Sequence, residues 1–180
     1  MFQIDVVEQC KNNNRKGQLK LYRQYCDGMF CLAMRYVKNT DDAEDVLQES
    51  FLKAFQRIEQ YEGNVTFGAW LKRIVINKCI DFLKSKKHET IEFEERHLPV
   101  TEDEDWSVDD GVTVKEIKAA MQELPEKYKY VVMMYLLEGY DHGEISQILS
   151  LTETTCRTRL LRGKGYLKQL LKEKNYGARY

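Results

Sequence analysis

Gly139-Tyr-Asp-His-Gly-Glu-Ile-Ser-Gln-Ile-Leu-Ser-Leu-Thr-Glu-Thr-Thr-Cys-Arg-Thr-Arg-Leu-Leu-Arg-Gly-Lys-Gly-Tyr-Leu-Lys-Gln-Leu-Leu171 reads as a short helix, a tight turn and a strongly basic helix. Asp141 is placed to cap the first helix, and Glu144 three positions on can close a capping box. Ile145, Ile148 and Leu149 give that helix one apolar face. Thr152 is placed to cap the second helix. Cys156, Leu160, Gly163 and Leu167 recur at i, i+4, i+7 and i+11 and are expected to face inward. Arg157, Thr158, Leu161 and Arg162 then share the outward side. This is the layout of a helix-turn-helix, whose second helix enters the DNA major groove, where Arg can grip guanine O6 and N7 with two hydrogen bonds. An ordinary helical hairpin with a solvated charged face has the same local pattern.

Outward from this stretch, the 180-residue chain holds only two prolines, Pro99 and Pro125, and its apolar runs are short and of helical period. An all-α protein of one medium or two small domains is expected. No apolar run approaches the ~20 residues needed to span a membrane, and the N-terminus lacks the pattern of a secretory signal. The five cysteines include no Cys-x-x-Cys pair, which fits reduced thiols in a cytoplasmic protein. His88, His97 and His142 lack a ligand-like spacing, so no metal site is expected.

Charge divides the chain. Residues 1–88 carry 15 Lys and Arg against 11 Asp and Glu, a balance of +4. Residues 89–112 carry 1 against 10, a balance of −9, and residues 113–180 carry 12 against 8, again +4. The acidic stretch has no sustained apolar period and reads as a flexible linker, with Trp106 its one large aromatic. A net charge of −1 therefore does not argue against nucleic-acid binding, because local charge sets the local field.

The N-terminal block reads as four helices. A short one covers about Ile4 to Cys10. A longer one has Tyr22, Tyr25, Cys26, Met29, Ala33, Met34 and Val37 as its stripe, and Asp27-Gly28 marks a point where it can bend. A third begins near Asp41 and keeps Ala43, Val46, Leu47, Phe51, Ala54 and Ile58 on one side. A fourth follows the loop Tyr61–Thr66 and runs from about Phe67 to Lys86. In the C-terminal block Thr113-Val-Lys-Glu is a capping box, Pro125 suits a first helical position, and Gly139 suits a helix end.

Two further faces carry chemistry. On the third helix Glu44, Asp45, Gln48 and Glu49 lie opposite the core stripe, with Leu52 exposed beside them. Such a face suits docking on a basic protein helix and would be repelled by DNA. On the fourth helix Arg73, Asn77, Asp81 and Lys84 recur at helical spacing, Lys72, Lys78, Lys86 and Lys87 extend the basic surface, and Phe67, Trp70, Leu71 and Ile74 lie near its start. Basic charge beside aromatic rings is the composition that holds single-stranded nucleic acid by phosphate contact and stacking; Phe67 and Trp70 as plain core is the competing expectation.

Asp42-Ala-Glu-Asp-Val-Leu-Gln-Glu-Ser-Phe-Leu-Lys-Ala-Phe55, followed by Phe67-Gly-Ala-Trp-Leu-Lys-Arg-Ile-Val-Ile-Asn-Lys-Cys-Ile-Asp-Phe-Leu83, resembles region 2 of bacterial sigma-70-type transcription initiation factors, and Leu124-Pro to Leu167 resembles their region 4. With no region 3 between them, the chain resembles the small extracytoplasmic-function (ECF) subfamily. The resemblance implies domains at 1–88 (region 2) and 113–175 (region 4), joined by an acidic linker at 89–112 that threads toward the polymerase active-site cleft, with a tail at 176–180. It implies that Asp45, Gln48, Glu49 and Leu52 bind core RNA polymerase. It implies that Tyr61, Asn64, Thr66, Trp70, Arg73, Asn77, Lys78 and Lys84 serve the promoter −10 element, the Tyr61–Thr66 loop capturing a flipped-out base. Thr155, Arg157, Thr158, Leu161 and Arg162 would then face the −35 duplex. The implied partners are core RNA polymerase (beta-prime clamp and beta subunits), promoter DNA and an anti-sigma protein, with no membrane insertion and no cofactor.

Thr154, Cys156, Gly163, Gly165 and His142 depart from the family's usual residues. Glycine inside a helix costs roughly 1 kcal/mol relative to alanine, so the end of the recognition helix is expected to fray when free and to order on DNA. No nucleophile–base pair, phosphate-cradling loop or metal cluster is legible in the sequence, so the chain is not expected to be an enzyme. A free-standing helix-turn-helix regulator is the alternative, and a nucleic-acid enzyme a more distant one.

Overall fold

The computed structural model describes residues 2–87 and 112–177. The linker reading of residues 89–112, Trp106, His88, His97 and residues 178–180 lie outside the described residues, Val112 excepted. All regular structure among the described residues is helical, and the chain separates into two compact units, within Met1–Glu92 and Phe93–Tyr180.

The first unit holds α1 (Phe2–Lys11), α2 (Arg15–Val37), α3 (Thr40–Gln56), a 3-10 turn (Ile58–Gln60) and α4 (Phe67–Lys87). Asparagines start two of these helices. The Asn14 side chain accepts from the Lys16 and Gly17 amides, and the Asn39 side chain accepts from the Asp42 amide, each satisfying donors that the first turn leaves without a partner. Helices α2, α3 and α4 pack against one another, and α1 lies on α2 and the 3-10 turn.

All six residues assigned to the α3 stripe are buried: Ala43, Val46, Leu47, Phe51, Ala54 and Ile58. From α4, Phe67, Leu71, Val75, Ile76, Cys79 and Ile80 complete that core. Helix α2 departs from expectation. It runs unbroken through Asp27-Gly28, and its buried apolar positions are Leu21, Leu32, Ala33 and Tyr36; of the stripe read from sequence only Ala33 is buried. Buried Ser50 donates to the Val46 carbonyl one turn back (2.6 Å), so it enters the core already satisfied.

The second unit holds α5 (Val114–Glu123), α6 (Glu126–Leu136), α7 (His142–Leu149) and α8 (Glu153–Gly177), with α5, α6 and α7 all packing on α8. Both predicted capping boxes form, Thr113 with Glu116 and Asp141 with Glu144. Pro125 sits at the cap of α6, one position before its expected place. Helix α6 ends at Leu136, and Gly139 adopts a φ of +75° inside the following turn, where a Cβ would be strained. The α7–α8 turn is made by Ser150 in the left-handed region and by Thr152, whose hydroxyl accepts from the Thr155 amide.

The four residues predicted to face inward on α8 are buried, and Leu171 continues the stripe. Helix α8 runs through both glycines and on to Gly177. Gly163 is a point of close approach: a Cβ there would lie 2.5 Å from Val132 Cγ2 and 3.1 Å from Tyr128 Cβ. The helix gives up a side chain so that α6 can come nearer. Gly165 has nothing within 4 Å and plays no such part.

Candidate polymerase and nucleic-acid interfaces

Three surfaces emerge from these helices. The first is on α3, where Asp45, Gln48 and Glu49 are exposed and Leu52 is 62% exposed. Leu52 is thus an apolar residue open to solvent and set among acids. The core stripe on the opposite side fixes the orientation of α3 and hence of this face.

The second surface joins the Tyr61–Thr66 loop to α4. Four rings form a connected cluster here. Tyr25 lies 5.4 Å from Phe67, Tyr61 lies 5.7 Å from Phe67 and 5.5 Å from Trp70, and Phe67 lies 5.6 Å from Trp70, centroid to centroid. Phe67 is 1% exposed, so it is core and offers no stacking surface to a base. Trp70 and Tyr61 are half-buried and keep part of their rings open. The Tyr61 hydroxyl donates to the Val65 carbonyl (2.6 Å) and Asn64 Nδ2 donates to the Glu62 carboxylate (2.9 Å), while Gly63 takes a φ of +82°. The loop is thus held in shape by its own side chains. Thr66 closes it by accepting from the Ala69 amide at the start of α4.

Beyond the loop, Arg73 and Lys84 are exposed and Asn77 is half-buried on α4. Lys78 is not an open cation: its Nζ bonds the Glu49 carboxylate of α3 at 2.6 Å, and Lys86 bonds Asp42 at 2.7 Å. Residues assigned to different partners are therefore joined in one pair across two helices. Sequence reading missed this because helical period says nothing about which residues meet between helices 29 positions apart.

The third surface is the outward face of α8. Arg157, Thr158 and Arg162 are exposed, and Leu161 and Thr155 are half-buried. The Thr158 hydroxyl donates to the Thr154 carbonyl (3.0 Å), so its donor is engaged and its methyl group and acceptor lone pairs remain. The Thr155 and Thr152 hydroxyls share a hydrogen bond (2.8 Å). Glu153, absent from the residues singled out by sequence, pairs with Arg157 at 3.6 Å one turn away; the i, i+4 spacing of opposite charges was the available signal. His142 stacks on Tyr135 (5.2 Å, 23°), which gives this departure from the family pattern a packing role between α6 and α7.

The burial pattern also sets thiol chemistry. Burial raises the Cys10 and Cys156 thiols above their ordinary value and pushes Cys79 up to about 12, whereas Cys31 is exposed. No helix among the described residues is long and apolar enough to cross a membrane.

Comparison with known proteins places a segment of each unit in one family. The Sigma-70 region 2 family matches residues 21–89, and the Sigma-70, region 4 family matches residues 114–167. RNA polymerase sigma factor SigV of Bacillus subtilis (strain 168) is 33% identical over 149 residues, covering 79% of this chain and 84% of SigV. ECF RNA polymerase sigma factor SigW of the same strain is 27% identical over 180 residues, covering 93% of this chain and 95% of SigW. Among solved structures, CnrH in complex with the cytosolic domain of CnrY superposes with a TM-score of 0.57 at 18% identity, over 95% of this chain and 97% of that one. The sigma factor RpoE in complex with the anti-sigma factor NepR from Bartonella quintana superposes with a TM-score of 0.56 at 18% identity, over 85% of this chain and 95% of that one. These two likenesses concern the fold alone.

Proposed function

Because this chain belongs to the sigma-70 family of RNA polymerase sigma factors, in its extracytoplasmic-function group, we propose that its two units divide promoter-directed initiation between them. As a sigma factor it directs core RNA polymerase to promoters. Residues 1–88 form the polymerase-docking and −10 unit, residues 113–175 form the −35 unit, and the acidic residues 89–112 link them. Asp45, Gln48, Glu49 and Leu52 dock on the beta-prime clamp of core polymerase, with the beta subunits as further contacts. Tyr61, Asn64, Thr66 and Trp70, with Arg73, Asn77, Lys78 and Lys84 behind them, hold the opened −10 strand. Thr155, Arg157, Thr158, Leu161 and Arg162 read the −35 duplex.

The observation that carries this reading is the pair of exposed faces of opposite chemistry. Carboxylates surround an open Leu52 on α3, while guanidinium groups crowd the open side of α8. The first repels phosphate and suits protein; the second suits the phosphate-lined major groove. Unstacking a base costs a few kcal/mol, and the preformed Tyr61–Thr66 loop offsets that cost by receiving the base. Two weak contacts tied in one chain act through effective concentration. The protein works beside the polymerase in the cytoplasm and supplies specificity, while the polymerase supplies the chemistry. An anti-sigma protein would restrain it by covering the same faces.

Transcription reconstituted with core polymerase tests the proposal. The wild type is expected to start RNA at selected sites. Arg157→Ala or Arg162→Ala should cost about 1–3 kcal/mol at a cognate −35 base, and Asp45→Ala with Gln48→Ala should weaken capture of core enzyme while the helical content is kept. Intact promoter selectivity in both arginine variants would show that the α8 face is not the reader.

A further inference from the structure

Glu153 is the first residue of α8, and nothing in the −35 reading above uses it. Its side chain is 57% exposed on the same side as Arg157, which is 67% exposed. One carboxylate oxygen is paired and the other faces the start of α7. Oε2 lies 3.6 Å from Arg157 Nη2, and Oε1 lies 3.5 Å from where a Cβ at Gly143 would stand. The carboxylate therefore lies across the turn of the helix-turn-helix, within ordinary contact distance of the start of α7. The acid is positioned, and it is positioned at the end of the recognition helix whose residues meet base edges.

A carboxylate there is costly unless a donor meets it. Phosphates line the groove, and most major-groove base atoms are acceptors: N7 and O6 of guanine, N7 of adenine, O4 of thymine. An ionised carboxylate only accepts hydrogen bonds. Adenine offers an amino group but sets its N7 lone pair beside it, whereas cytosine presents the N4 amino group alone. Cytosine is thus the one base that meets Glu153 without an opposing lone pair. Glu153 and Arg157 are separated by about 6 Å along the helix axis, against about 3.4 Å per base-pair step, so they address base pairs at most two steps apart.

We propose that Glu153 is a specificity-determining residue of the −35 contact: it selects a cytosine within two base pairs of the guanine taken by Arg157, chiefly by rejecting the acceptor edges of the other bases. The inference rests on the assignment of α8 as the −35 reader. A carboxylate that works by rejection lowers affinity for duplex DNA in general while sharpening the choice among sequences. Removing its charge therefore has two opposite effects, and a residue that merely supports the helix would show neither.

The test uses full-length protein with core polymerase on a promoter library randomised through the −35 element, with selected sequences read from the transcripts. The wild type is expected to enrich a cytosine, on either strand, within two base pairs of a guanine whose enrichment disappears in Arg157→Ala. Glu153→Gln keeps the side-chain shape and should lower the cytosine enrichment about tenfold. It should also admit adenine at that position, because an amide can bond both N6 and N7, and should tighten binding to mixed-sequence duplex. Identical base preferences in wild type and Glu153→Gln would overturn the proposal while leaving the −35 reading in place. A wild-type holoenzyme that starts transcripts but selects no −35 sequence would overturn both.

Discussion

Gly163 and Gly165 stand two residues apart on one helix and should respond to the same substitution with opposite signs. At Gly163 an added methyl group meets Val132 at 2.5 Å, inside any contact a real Cβ makes, so α6 and α8 must move apart. Overpacking of this kind costs about 1–3 kcal/mol, and Gly163→Ala should lower the urea midpoint of the full chain accordingly. At Gly165 the methyl group meets nothing, and Gly165→Ala should stabilise α8 by about 1 kcal/mol. Equal effects of the two substitutions on the midpoint would contradict the close approach. The cysteines make a second contrast. The thiolate is the nucleophile, so exposed Cys31 should be alkylated by maleimide in the native protein long before Cys79, whose buried thiol is pushed up to about 12. Peptide mass spectrometry after a short pulse would order them, and early modification of Cys79 would show that α4 opens readily.

At the scale of the element, the Thr113–Glu116 capping box has a pH signature. Hydrogen bonds from the Thr113 amide and then the Thr113 hydroxyl hold the Glu116 carboxyl below its ordinary value. A carboxyl whose folded value is depressed stabilises above its unfolded value, and that contribution is lost as pH falls through the folded one. Denaturation by urea at pH 7 and at successively lower pH should show a larger acid loss for the wild type than for Glu116→Gln; parallel curves would mean that the box adds nothing to stability. Capping residues of this kind were legible because their spacing is fixed within one turn. The α3 stripe and the inward residues of α8 were legible for a similar reason, since each helix buries a single side and the period reports it. Helix α2 was misread because α1, α3 and α4 all touch it, so its buried positions follow no single stripe. The reach of α8 beyond Leu171 was also hidden, because Lys172, Glu173 and Lys174 are charged and exposed and continue no apolar stripe. In the candidate interfaces, exposure could be read from sequence but pairing could not: Lys78 with Glu49 depends on how α3 and α4 register, and the engaged Thr158 hydroxyl depends on a rotamer.

For the molecule as a whole, the charge distribution predicts that the free chain binds DNA weakly. The residues from 89 to 112 carry ten acids against one base, and such a segment competes with phosphate for the basic surfaces on either side. Neutralising those acids should strengthen promoter binding by the free protein at low salt and change it little at high salt, where such fields are screened. Gel-shift titrations at two ionic strengths would measure this, and unchanged affinity at low salt would rule the competition out. The Glu49–Lys78 bridge bears on how any mutational map of this protein is to be interpreted. Deleting Glu49 strips an acid from the proposed enzyme-facing side and in the same stroke releases an ammonium group on the proposed strand-facing side. A single substitution at either position therefore perturbs both proposed interfaces at once, and only a double-mutant cycle can apportion the resulting defect between them.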